Sequence, residues 1–205
     1  MGTSLGVANI DGSGVNNNFI TGATEPVGPV VVGAYLYWGN WGGTTIERAN
    51  LDGSGANQSF ITGANMPCVV ALDATHIYWT NWGMGNGSTI GRANLDGTGV
   101  NQSFITGAHG PLGVAVVGPY LYWANWTVGN SIGRAKLDGT GVNQSFITGA
   151  DYPCGVASDG TYLYWGNQGS NHTGTTIGRA KLDGTGVNQS FISGADGACG
   201  FAFAH

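Results

Sequence analysis

One sentence of this chain is written over and over. The segment 90–108, Ile-Gly-Arg-Ala-Asn-Leu-Asp-Gly-Thr-Gly-Val-Asn-Gln-Ser-Phe-Ile-Thr-Gly-Ala, recurs almost unchanged at 46–64, 132–150 and 177–195, and in weaker form at 5–23. Its Phe stands at 19, 60, 104, 146 and 191, giving steps of 41, 44, 42 and 45 residues. A period of that length marks an array of supersecondary units, each burying its apolar face only against its neighbours. Specificity must then lie in the positions the copies do not share.

Each copy reads as strands. In the copy 109–150 the runs 113–117, 120–124, 131–137 and 143–147 are short, rich in β-branched and aromatic residues, and separated by Gly, Pro, Asn and Asp-Gly. The turn Asp138-Gly139-Thr140-Gly141 has equivalents at Asp11, Asp52, Asp96 and Asp183. Its residues tolerate the positive φ of a tight hairpin. No segment is periodic over a length that would make a helix. Four antiparallel strands per repeat, labelled A to D from the axis outward, predict one blade of an all-β propeller.

Tyr37-Trp38-Gly39-Asn40, Tyr78-Trp79-Thr80-Asn81, Tyr122-Trp123-Ala124-Asn125 and Tyr164-Trp165-Gly166-Asn167 resemble the YWTD motif of LDL-receptor class B repeats and their bacterial relatives. The Ile-x-Arg-Ala-x-Leu-Asp-Gly that follows and the later Pro-x-Gly-Val-Ala are similar to the same family. The resemblance spans the whole chain and implies a YWTD-like β-propeller, with an extracytoplasmic or secreted setting. This sequence differs in carrying Asn where the family has Asp, and in its count of copies, since the family's rings have six blades.

Counting strands predicts five blades. Residues 1–23 supply strands C (5–10) and D (16–20) of a split blade. Full blades follow at 24–64, 65–108, 109–150 and 151–195, and 196–205 supplies a closing strand A at 200–204. In every full copy Trp follows the preceding Phe by 19 residues, which would put the next Trp at 210, past His205. The split blade is therefore expected to lack strand B. A monomer with one incomplete blade is the favoured state, and a dimer that completes the blade with a strand from a second chain is the alternative.

Charged residues make up 8% of the chain, as suits strands buried between blades. A net charge of −5, with the six Lys and Arg spread one or two to a blade, argues against a nucleic-acid footprint. No apolar run approaches a membrane span, and residues 1–10 lack a basic-then-apolar signal pattern.

Cys68, Cys154 and Cys199 share one repeat position just before strand A, where other copies have Val27 and Leu112. That exchange reads as a small apolar site, and reduced thiols without metal are expected. Cys154 and Cys199 are the two on neighbouring blades, so they are the pair a disulfide could join. The histidines His76, His109, His172 and His205 fall at unrelated repeat positions, and no Ser, His and acid set or carboxylate pair stands out. No catalytic residue, metal ligand or cofactor is assigned. Arg48, Arg92, Arg134 and Arg179 read as stacked or paired within their blades. The aspartates of the Asp-Gly-Thr-Gly turns lack the dense oxygen spacing of a calcium loop. The Asn-x-Ser triplets of strand D read as part of the repeat rather than as glycosylation sites.

What varies is one face. Arg to Phe is 12 residues in every copy, whereas the segments from Trp38, Trp79, Trp123 and Trp165 to the strand C Ile run 8, 11, 9 and 12 residues. B–C loops and D–A connections emerge on the same side of a ring of alternating strands, and loop variation on a rigid scaffold is where binding is expected. Trp41, Trp82 and Trp126 stand there, with Gln168 in the fourth copy. Two readings of these indoles are open: platforms for a sugar ring or protein loop, or plugs between blades. The ligand-binding set on the first reading is Trp41, Trp82 and Trp126 with Asn40, Asn81, Asn125 and Asn167, one weak site per blade. Function is accordingly expected to be non-enzymatic binding of glycan or protein surfaces, by architectural analogy with small lectin-like propellers. The alternatives are a propeller lyase or lactonase with its site at the channel mouth, for which the residues there are His109, Asp151 and Asp196, and an amplified or engineered repeat with no ligand.

Overall fold

A computed structural model describes residues 2–128 and 130–201. Strands β1 (Ser4–Val7) and β2 (Asn16–Thr21) pair as a hairpin. Four sheets of four antiparallel strands follow. They are β3 (Pro26–Val32), β4 (Tyr35–Asn40), β5 (Thr45–Asn50) and β6 (Asn57–Thr62); β7 (Pro67–Leu72), β8 (His76–Asn81), β9 (Thr89–Asn94) and β10 (Asn101–Thr106); β11 (Pro111–Val117), β12 (Tyr120–Asn125), β13 (Ser131–Lys136) and β14 (Asn143–Thr148); and β15 (Pro153–Ser158), β16 (Tyr162–Asn167), β17 (Thr176–Lys181) and β18 (Asn188–Ser193). Within each sheet the strands lie in chain order, as the repeat predicts. Single 3-10 turns at Gly83–Gly85 and Ser170–His172 sit in the two longest B–C loops. Among the described residues no helix is long and apolar enough to cross a membrane.

The recurring phrase builds both the blade and its bond to the next. Trp38, Trp79, Trp123 and Trp165 are fully buried in strand B. In three blades the indole N–H donates to a strand D glutamine of the same blade, Gln102, Gln144 or Gln189, each at 3.0 Å. The amide nitrogen of each glutamine then donates to a carbonyl of the preceding blade: Thr62, Thr106 or Thr148. Phe19, Phe60, Phe104 and Phe146 lie against the turn glycines of the following blade, Gly53, Gly97, Gly139 and Gly184, whose φ of 82° to 88° suits glycine. A ring and an amide thus fasten each of these four junctions, with Gln58 reaching Thr21 at the first.

The arginines stack rather than pair. Arg134 lies 3.9 Å from the centroid of Phe146 and 4.6 Å from that of Tyr120, and Arg179 lies 3.7 Å from Phe191. Arg92 also reaches the Leu137 carbonyl of the next blade at 3.3 Å. The aspartate four residues on is occupied elsewhere: Asp138 Oδ1 accepts from the Thr140 backbone N–H at 2.8 Å and its hydroxyl at 2.7 Å. Those bonds, the hydroxyl's first, hold its carboxyl below the ordinary aspartate value. Among the described residues no arginine forms an ion pair.

Two expectations need correction in this part of the chain. The first strand spans Ser4–Val7 and not 5–10, because Val7 takes the place of the clamping Arg and Ile10 lies fully exposed in the turn. In the closing strand A expected at 200–204, Gly200 and Phe201 are not in strand conformation, and 202–204 lie outside the described residues.

Candidate ligand-binding site

The inner strands β3, β7, β11 and β15 pack in succession, and three cavities follow one another along them. One of about 540 Å³ lies at the A–B turn end, lined by Val30, Val70, Val114 and Val156 among others. One of about 270 Å³ lies midway, beside Gly28, Gly113 and Gly155. The third, of about 300 Å³, opens on the loop face. Its walls are the indoles of Trp41, Trp82 and Trp126, and Cys68, Leu112, Cys154 and Cys199, at the start of each strand A position, line it from the axis. Gln168 and His172 complete the lining.

Backbone hydrogen bonds hold B–C loops and D–A connections together on this face. Trp41 N donates to Glu25 O, Gly83 N to Asn65 O, Trp126 N to Gly110 O and Gln168 N to Tyr152 O, all at 3.1 to 3.3 Å. The D–A corner is left-handed in every copy: Glu25 (φ 53°), Met66 (47°), Gly110 (55°), Tyr152 (47°) and Gly197 (56°). Three side chains other than glycine in that region store strain of about 1–3 kcal/mol each, concentrated on the variable face.

The three indoles form one series. Trp41 and Trp82 meet edge to face with centroids 5.2 Å apart, Trp82 and Trp126 at 6.1 Å, and Trp126 and Tyr152 at 5.7 Å. Trp41 is 38% exposed, while Trp82 and Trp126 are half-buried. Trp126 Nε1 donates to Gln168 Oε1 at 2.9 Å. Trp82 Nε1 is buried and has no acceptor among the described residues. The side chain next to it in the series is Trp126, which has only a donor to offer. The indoles therefore line one axial cavity jointly, where the sequence suggested separate platforms on separate blades.

The four asparagines do different work. Asn40, Asn81, Asn125 and Asn167 are 0–3% exposed. Asn125 Oδ1 accepts from His109 N at 2.9 Å, and its Nδ2 donates to Ser131 Oγ at 3.1 Å and Gln144 O at 2.8 Å. Asn81 makes the equivalent bonds to Asn65 N, Thr89 Oγ1 and Gln102 O, and Asn167 those to Asp151 N, Thr176 Oγ1 and Gln189 O. These three amides tie the D–A corner to strands C and D, Asn40 ties Thr24 N to Thr45 and Glu47 of strand C alone, and all four turn away from the loop face. The expectation that these amides reach a ligand is corrected on that geometry: buried polar groups bond inward.

The cysteines also depart from expectation. Cys154 and Cys199 form a disulfide across neighbouring inner-strand positions, with Cα atoms 5.0 Å apart. Near the axis these two equivalent positions lie within disulfide range. Cys68 remains a free thiol, and burial pushes its pKa up to about 12. Among the described residues no group of three His, Cys, Asp or Glu side chains could hold a metal ion. Gln168 is the residue sequence reading passed over, visible only as the interruption of a Trp series.

No protein-family profile matches the chain, and no curated sequence is similar to it. Solved structures are. A chain of a nidogen–laminin complex matches at 22% identity and a TM-score of 0.65, over 80% of this chain and 63% of that one. A virginiamycin B lyase from Staphylococcus aureus matches at 19% and 0.68, over 93% and 64%. A gluconolactonase from Xanthomonas campestris matches at 18% and 0.63, over 80% and 60%. The chain is a β-propeller. It spans somewhat under two thirds of the length of each of these proteins, and the identities carry the fold alone.

Proposed function

We propose that this propeller is a non-enzymatic binding module whose ligand is held on the B–C and D–A loop face, at the axial cavity beside Trp41, Trp82 and Trp126. The observation that carries the reading is the convergence of three indoles on one recess whose remaining lining is mostly thiol, disulfide and leucine. A concave, mainly apolar site with a few polar groups is the usual form of a ligand pocket. Loop strain concentrated on the same face supports it. The sequence suggested glycans or protein surfaces as ligands, and the nidogen–laminin neighbour is a propeller from a protein complex.

The test is a glycan and peptide array probed with the wild type and the double variant Trp82→Ala, Trp126→Ala. Binding to wild-type hits should fall by at least tenfold while the fold persists. A variant that loses about 3 kcal/mol or more of stability, the scale of core aromatic truncation, would make the indoles packing elements. Equal binding by both proteins would remove them from the site.

The lyase and lactonase neighbours support a second reading, in which the same mouth is an active site. His172 is then the acid–base group, since it lines the cavity. Lactone turnover by the wild type that is lost in His172→Ala would favour this reading.

A further inference from the structure

We infer that the axial cavity takes a small, neutral aromatic compound bearing a hydrogen-bond acceptor, an inference that rests on the binding reading above and names its ligand class. Charge is the first filter. Asp, Glu, Lys and Arg are absent from the described lining, so a charged ligand would shed its hydration with no counter-ion to replace it. Size is the second. About 300 Å³ is at the lower end of small-molecule sites, room for one or two rings.

Gln168 supplies the orientation. The residue is 9% exposed, and its amide is not free to choose which end faces Trp126. An indole N–H only donates, so the partner at 2.9 Å must be Oε1. Nε2 then points elsewhere. No described residue accepts from it. That donor is not shut away from solvent, so in an otherwise apolar recess it is a point at which a ligand's acceptor can bond in place of water. A saccharide would bring several hydroxyls to a wall that offers Gln168 and His172 as polar side chains, and most would go unmet. A ring with one acceptor leaves none, and its edge or face continues the edge-to-face series of the three indoles.

The test follows the indole N–H signals of the whole chain by NMR during titration with acetophenone and with ethylbenzene, which has nearly the same shape and no oxygen. Acetophenone should shift the signals of Trp41, Trp82 and Trp126 saturably and leave those of Trp38, Trp79, Trp123 and Trp165 in place. Ethylbenzene should bind about tenfold more weakly, the worth of one hydrogen bond made away from bulk water. Gln168→Glu, measured near pH 8 so that the carboxylate is ionised, keeps an oxygen for Trp126 and removes the donor. It should bring acetophenone down to the level of ethylbenzene while the Trp126 signal keeps its hydrogen-bonded position. Equal affinities for the two probes, or no loss in Gln168→Glu, would overturn the inference. N-acetylglucosamine or a Gly-Tyr-Gly peptide moving the three signals where acetophenone does not would overturn the ligand class and leave the binding reading standing. If none of these probes moves them, both fall.

Discussion

At position 47 the first full blade carries glutamate where its sister blades carry Gly91, Gly133 and Gly178. A methyl group at those glycines would lie on the strand B indole, so the Trp38 indole cannot keep the arrangement of the others. Its N–H donates instead to Glu47 Oε2 at 2.7 Å, and Asn40 Nδ2 donates to the other oxygen. Glu47 is 2% exposed, and burial raises its pKa above the ordinary glutamate value, against the pull of those two bonds. A folded-state pKa above the unfolded one means that the native state holds the proton more tightly. The contribution is complete below the ordinary value and is lost as pH rises through the raised one. As pH rises from the ordinary glutamate value, about 4.3, the melting temperature of the wild type should fall relative to that of Glu47→Gln; parallel curves would show that this carboxyl does not titrate differently on folding. The substitution itself was visible in the sequence. Its partner was not, because Trp38 and Glu47 sit opposite each other only once strands B and C are in register, Trp38 facing Glu47.

Strands were the most legible level. The runs predicted at 120–124 and 143–147 are observed as Tyr120–Asn125 and Asn143–Thr148, since Gly118-Pro119 before the first and the Asp138-Gly139 turn before the second leave little choice of boundary. The straps between blades were not legible, because Gln144 bonds Trp123 in its own blade and Thr106 in the one before, and no local pattern announces a contact across 38 residues. The same holds for these loop residues: sequence put Trp41, Trp82 and Trp126 on the B–C loop face, while their convergence and the inward turn of Asn125 depend on how blades meet. Packing inside a blade is tight enough to be tested by one methyl. Gly133→Ala would press its methyl onto the ring of the fully buried Trp123. A loss of about 3 kcal/mol is expected by denaturant titration, at the upper end of overpacking penalties. A loss under about 1 kcal/mol would mean that the indole and its glutamine strap yield easily.

Across the whole ring, one covalent bond breaks the equality of the copies. Cys154 and Cys199 are 45 residues apart in sequence, so their bond removes a long loop's freedom from the unfolded chain. Reduction, or Cys154→Val with Cys199→Val, should lower stability by roughly 3 kcal/mol, with no shift in the wild-type mass on reduction overturning the pairing. Reading each cysteine as a stand-in for Val27 or Leu112 predicted reduced thiols; the sequence named Cys154 and Cys199 as the pair that could be joined, but whether they are joined depends on how adjacent blades meet and not on the repeat. The indole series has an optical meaning as well. Coupling between transition dipoles falls steeply with distance, and Trp41, Trp82 and Trp126 lie within 5.2 and 6.1 Å of one another at fixed, steep interplanar angles. Their strong far-ultraviolet transitions should therefore couple, and the far-ultraviolet circular dichroism of this protein should carry an exciton couplet from the cavity mouth that is lost in Trp82→Ala. The molecule reports on its own vestibule without a label.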